Sequence, residues 1–190
     1  MKINKKLNLV MGLDDGDGGT FHVYSVPIAR EVFERYYLPL SRVFTEIMTL
    51  NLLVIGPTVA YNMLRDVAMD LGTWDGETGV QNGLVNEIRR LTSIFMPTES
   101  GWQQVPLEVV ISQEKIDDDD LALILGSLVF FTAVSYIPAK SERVNLMNGA
   151  AAMWGTLTTS SSITEYANSL PTLKPIDSTG ETPTTAFVPS

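Results

Sequence analysis

Cysteine is absent from the 190-residue chain, and histidine occurs once, at His22. The first absence excludes disulfides and thiolate metal sites and suits a reducing compartment. The second excludes every site built on two imidazoles, and a lone histidine beside a turn reads as an ordinary strand residue. Basic charge is also scarce: 13 Lys and Arg face 22 Asp and Glu, a formal net charge of −9. The basic residues do not cluster, so the chain repels phosphate and no nucleic-acid partner is expected. Gly-rich phosphate loops and nucleophile elbows are missing too. Long apolar runs are few. Leu121–Ile137 falls short of the roughly 20 residues that span a bilayer and carries Gly126, Ser127, Thr132 and Ser135. Ile47–Leu64 contains Asn51, Gly56, Pro57 and Asn62, which are costly against lipid. The basic start Met1-Lys2-Ile3-Asn4-Lys5-Lys6 is followed by Asp14, Asp15 and Asp17 rather than by an apolar core, so export is not expected.

What is present is a body-forming composition. Hydrophobic residues make up 45% and charged residues 18% of the chain, enough for one domain with a sizeable core. Leu7, Leu9, Met11 and Leu13 alternate along the chain, as do Phe21, Val23 and Ser25. The turn-forming Asp14–Gly19 lies between the two runs, predicting an N-terminal β-hairpin over residues 1–27. From Ile28 the period becomes helical: Phe33, Tyr36, Tyr37, Leu40, Phe44 and Ile47 share a face to about Leu50, with a break near Leu38 imposed by Pro39. Thr58 is placed to cap a helix that Gly72 stops. Leu84, Ile88, Leu91 and Phe95 predict a further helix ended by Pro97, then a polar loop over Thr98–Gln104 and a short helix opened by Pro106. Asp117–Asp120 suit a helix N-terminus, and Leu121–Ile137 reads as the central buried helix. A helix from Lys140 or Ser141 to about Leu157 follows. Ser162 and Glu165 have the capping-box spacing before Ile163–Leu170. The expected fold is thus mainly α with an N-terminal β-hairpin: a compact helical body over residues 28–170, forming one domain with the hairpin, and a disordered tail over 171–190. That tail is rich in Pro, Thr and Ser and too poor in apolar surface to offset the entropy of ordering it.

Candidate chemistry is thin. Counted from Asp15 as an EF-hand loop, Gly19 falls at the fifth position and Val26 at the twelfth, where ligands are required; a solvated turn fits better than calcium. Asp117–Asp120 are consecutive on a helix and cannot converge on one ion, so they read as helix capping. Glu31 with Glu34, and Glu87 near Glu99, lack a second functional group and read as surface charge. No catalytic, cofactor-binding or metal-ligating residue is expected, and no enzyme activity.

Several stretches, in order, resemble the tail assembly chaperones of long-tailed (siphovirus-like) bacteriophages. They are Met1–Val10, Val26–Tyr36, Glu87–Thr92, Pro97–Trp102, Met153–Thr159 and Thr164–Thr172, which together run over most of the body. The resemblance implies a non-enzymatic protein of the infected host cytoplasm. It would bind the tape measure protein, a long, helical, aggregation-prone chain, and promote assembly of the tail tube around it. In many members a translational frameshift yields a longer form that recruits tail tube protein, and the segment after Leu170 is where such a product would diverge. An acidic helical body can lay apolar grooves on a client helix, and Arg30, Phe33, Tyr36, Tyr37 and Trp102 are the expected protein-binding residues. A structural tail-completion or head-tail connector protein of the virion is the alternative, and a holin-like membrane protein the lesser one. The oligomeric state is left open.

Overall fold

A computed structural model describes residues 7–14, 20–53, 55–138, 141–142, 145–146, 149 and 156–171. The N-terminal hairpin forms as expected. Strands β1 (Asn8–Asp14) and β2 (Thr20–Ser25) pair antiparallel, with Leu9 opposite Ser25 and Asp14 opposite Thr20. Most of the turn between them, and with it the calcium reading, lies outside the described residues.

The hairpin does not stand alone. It forms two strands of a five-stranded antiparallel sheet in the order β4-β3-β2-β1-β5, completed by β3 (Thr92–Thr98), β4 (Gly101–Pro106) and β5 (Thr156–Thr159). This corrects three expectations. The helix expected to run on to Phe95 ends earlier: a π-turn over Val80–Val85 leads into α4 (Asn86–Arg90), and the chain turns to strand at Thr92. Pro97 lies within β3, beyond Phe95, where the pairing with β2 stops, so its missing N–H costs that ladder nothing. The expected polar loop Thr98–Gln104 contains a tight turn instead, with Gly101 at φ +120° permitting the reversal into β4. Thr156 and Leu157, expected to end a helix, belong to β5. Residues 141–142, 145–146 and 149 are helical, and the rest of that expected helix lies outside the described residues, as does the tail beyond Pro171.

The remaining helices are α1 (Arg30–Arg35), α2 (Tyr37–Thr49), α3 (Gly56–Asp70), α5 (Leu107–Ser112), α6 (Asp118–Tyr136) and α7 (Ile163–Ser169). The break before α2 falls at Tyr36 rather than near Leu38. Pro39 then sits in the first turn of α2, where an N–H has no intrahelical partner to lose. Thr58 does not cap α3. The helix begins at Gly56 with Pro57 in its first turn, and the Thr58 hydroxyl donates back to the Ile55 carbonyl at 2.8 Å. Gly72, at φ +64°, follows the end of α3 as expected.

Asp117 caps α6 by accepting the Asp120 N–H at 2.8 Å, and Asp118, Asp119 and Asp120 fill the first turn, where the helix dipole favours negative charge. From Ile124 to Ser135 every residue of α6 is buried, so this helix is covered on all sides, as an apolar helix must be in water. Its main neighbour is α3, with α2 and β1 also against it. The approach to α3 is very close: a Cβ at Gly126 would overlap the Pro57 carbonyl oxygen, and one at Gly56 would lie 3.2 Å from the Phe130 ring.

Alternation along the strands divides the core in two. Leu9, Met11, Leu13, Val23, Ile94 and Met96 point to the helical body and join Leu40, Val43, Ile47, Leu64, Leu84 and Leu128 in the large core. Val10, Tyr24 and Phe95 point the other way and form a second, small core with Val26, Trp102, Ile163, Tyr166, Ala167 and Leu170. The sheet is therefore a middle layer, with the helical body on one face and α7 on the other.

Candidate protein-binding surface

The aromatic stripe of α1 and α2 divides between core and surface. Phe33 is buried, stacked on Tyr136 at 4.6 Å and met edge-on by Tyr37 at 5.9 Å. Tyr136 in turn donates its hydroxyl to the Ile28 carbonyl, tying α6 to the chain ahead of α1. Tyr36 is buried against Gly83 in the π-turn, and its hydroxyl donates to the Thr78 carbonyl at 2.9 Å. Phe33 and Tyr36 are thus core side chains, a correction to their placement on a binding face. Helical spacing explains it: a stripe at three- and four-residue intervals marks the face that packs inward. Arg30 and Tyr37 do reach the surface. Arg30 is held by Glu34 at 2.7 Å, an exposed pair of little energetic weight, and Tyr37 is 52% exposed.

The structure adds residues that the sequence reading passed over. Leu38 is 51%, Leu50 62%, Ile55 46%, Met48 40% and Met69 46% exposed. They lie along α2 and α3, which pack on each other, and on the chain between them. Tyr37 and Leu38 open α2, Met48 nears its end and Leu50 follows it, Ile55 precedes α3 and Met69 nears the end of α3. A signal was available, since Leu38 and Met48 lie out of phase with the inward-facing Leu40, Val43 and Ile47. Beside them, Ser41, Arg42, Thr45 and Glu46 line an open depression of about 330 Å³.

Trp102 stands apart from this group, on the far face of the sheet. Its ring meets His22 edge-on at 4.9 Å, and its indole N–H donates to the Pro171 carbonyl at 2.8 Å. Tyr166 of α7 lies 5.5 Å from Tyr24, 5.7 Å from Phe95 and 6.4 Å from His22. Under α7 the ring environment is dry enough to move proton affinities. Burial pushes the Tyr166 phenol up to about 12, and burial lowers the His22 imidazole from its ordinary value. Burial also raises Tyr24, against an opposing hydrogen bond from Asn8. Asn8 Nδ2 donates to the Tyr24 hydroxyl at 2.7 Å and to the Ser161 carbonyl at 3.0 Å, and Tyr24 donates to the same carbonyl at 2.8 Å.

Two further ion pairs form among the described residues. The Arg90 guanidinium grips Glu87 through two hydrogen bonds of 2.7 and 2.8 Å and holds that carboxyl below its usual range. Arg89 approaches Glu108 of α5 at 3.7 Å. Among the described residues no group of three or more His, Asp or Glu side chains is placed to hold a metal ion. One helix among them, α6, is long and apolar enough to cross a membrane, and 67% of its most apolar stretch is buried within the protein. The chain matches no protein-family model, no curated protein and no solved structure.

Proposed function

We propose that the chain is a bacteriophage tail assembly chaperone that binds the tape measure protein and promotes assembly of the tail tube. The reading rests first on the sequence resemblance. The observation that carries it further is the set of exposed apolar side chains along α2 and α3: Tyr37, Leu38, Met48, Leu50, Ile55 and Met69. Single exposed apolar residues are commonplace on a soluble surface. Two packed helices and the chain joining them, presenting six such side chains on an acidic chain with net charge −9, suit the capture of an apolar helix face while like charge keeps the loaded chaperone dispersed. Arg30, exposed and paired with Glu34, would supply a cation for acidic positions on the client by exchanging that partner. A longer, frameshifted form would bring tail tube protein to the same complex.

The test is co-expression with the tape measure protein. The wild-type chain keeps the client soluble and co-purifies with it. A Leu38→Asp, Leu50→Asp double variant, changed only at exposed positions, folds normally and loses the client. A tape measure protein as insoluble with the chain as without it would end the proposal.

A further inference from the structure

Asn82 and Gly83 stand side by side in the π-turn. Glycine shields a preceding asparagine least of all residues, because no side chain stands over its backbone nitrogen. Packing imposes the pair. A Cβ at position 83 would overlap the Tyr36 hydroxyl, which donates to the Thr78 carbonyl at 2.9 Å. The glycine is therefore required, and the asparagine ahead of it is exposed to water.

Both potentially reacting groups are restrained by hydrogen bonds. The Gly83 N–H donates to the Gly79 carbonyl at 2.8 Å, and Asn82 Nδ2 donates to the Gly76 carbonyl at 2.9 Å. The N–H groups of Val80 and Gln81 close the same turn, donating to the Thr73 carbonyl at 2.9 Å and the Trp74 carbonyl at 3.1 Å. Helical backbone at Asn82 holds its side-chain carbonyl carbon away from the Gly83 nitrogen, so the two meet only when the turn opens. Opening is a local event here. Thr73 and residues 75–78 are exposed, and the hydroxyl of buried Tyr36 pins them from the junction of α1 and α2.

We propose that Asn82 is a site of spontaneous deamidation, gated by opening of the turn over residues 73–83, and that its products leave the turn loosened. In the opened turn the Gly83 nitrogen attacks Asn82 Cγ and its proton passes to solvent. The bond from Cγ to Nδ2 breaks, and ammonia leaves. Water then opens the resulting cyclic imide, at one carbonyl to give aspartate and at the other to give isoaspartate. Neither product recloses the turn as before. Aspartate replaces the donor to the Gly76 carbonyl with a carboxylate that repels it, in a loop already carrying Asp75 and Glu77. Isoaspartate lengthens the main chain immediately ahead of the glycine against which Tyr36 packs. The inference is independent of the client named above, because it needs only water and the turn itself.

The experiment incubates the full chain near neutral pH, folded and in urea, and follows conversion of Asn82 to acid by peptide mapping with mass spectrometry. Mapping separates it from the second Asn-Gly pair, Asn148-Gly149. The unfolded chain should convert at Asn82 at least tenfold faster than the folded one. Equal rates would mean that the turn guards nothing, and would overturn the proposal. Tyr36→Phe keeps the ring and loses the bond to the Thr78 carbonyl. It should retain cooperative unfolding and speed conversion in the folded chain roughly two- to tenfold, the range that loss of one hydrogen bond allows. A folded Tyr36→Phe chain that converts no faster than wild type overturns the gating. Asn82→Asp makes one product directly. Its Val80 and Gln81 amides should exchange about tenfold faster than those of the wild type, as a lost bond with an unsatisfied carbonyl implies, and unchanged protection would overturn the loosening.

Discussion

Replacing Gly126 with alanine opposes two physical effects of different sign, and the structure says which one wins. Helix propensity favours the change: alanine in place of glycine in a helix interior is worth about 1 kcal/mol. Packing opposes it. The new methyl would overlap the Pro57 carbonyl oxygen and sit 2.8 Å from its carbon, against roughly 3.5–4.0 Å for an ordinary carbon–carbon contact. Both obstructing atoms belong to the backbone of α3, so no rotamer change relieves the clash. The α3 and α6 axes must part by close to an ångström or more, and a gap of about 0.5–1 Å forfeits a quarter to a half of each dispersion contact along the seam. Overpacking typically costs about 1–3 kcal/mol, and a backbone-against-backbone clash belongs at the upper end. Subtracting the propensity gain leaves a net loss of about 2 kcal/mol, or a Tm lower by roughly 4–8 °C for a domain of this size. Differential scanning calorimetry measures it. Ala122→Gly, at an exposed position of the same helix, calibrates the propensity effect alone and should cost about 1 kcal/mol. An unchanged or raised Tm in Gly126→Ala would refute the close crossing of α3 and α6.

Two further outcomes follow from the same packing. Asp117→Ala removes the side chain that accepts the Asp120 N–H and should cost about 1 kcal/mol in urea denaturation, whereas Asp117→Asn should retain most of the cap. His22, whose proton affinity is lowered by burial beneath Trp102 and Tyr166, binds its proton less readily folded than unfolded. Its share of stability is therefore complete above its ordinary value of 6.5 and is lost as pH falls from there through the lowered folded value. The urea-midpoint difference between wild type and His22→Gln should hold steady above about pH 7 and shift against the wild type below pH 6.5. A difference independent of pH would show that the imidazole stays equally hydrated in both states.

Elements governed by local chemistry were legible in the sequence. Asp117 before an apolar run, Ser162 three residues ahead of Glu165, and Gly72 after the last periodic residue of α3 each did what their side chain or missing Cβ dictates. The strands after Arg90 were not legible, and the reason is the middle position of the sheet. In β3, Ile94 and Met96 face the helical body while Phe95 faces α7, so both faces are apolar and the period of two that marks a half-buried strand disappears. With Leu84, Ile88 and Leu91 upstream, the run then imitates a helix. The expected binding stripe failed for a related reason. Phe33 and Tyr36 were found by a periodicity that selects the buried face, and only Arg30 and Tyr37 of that group reach solvent. Trp102 was expected at a binding surface, but its partners His22 and the Pro171 carbonyl are brought to it by strand pairing and by a segment from the far end of the described chain, which no local pattern encodes.

The all-round burial of α6 has a consequence for the order in which the protein is made. The groove that receives this helix is lined by α2 and α3, and α6 begins about 50 residues after α3 ends. At a synthesis rate of about 5–20 residues per second, the inward faces of Leu40, Val43, Ile47 and Leu64 wait several seconds on the ribosome before α6 can complete the core around them. For that interval the part of the α2–α3 pair that α6 will cover is an exposed apolar helical surface, the kind of surface that favours aggregation.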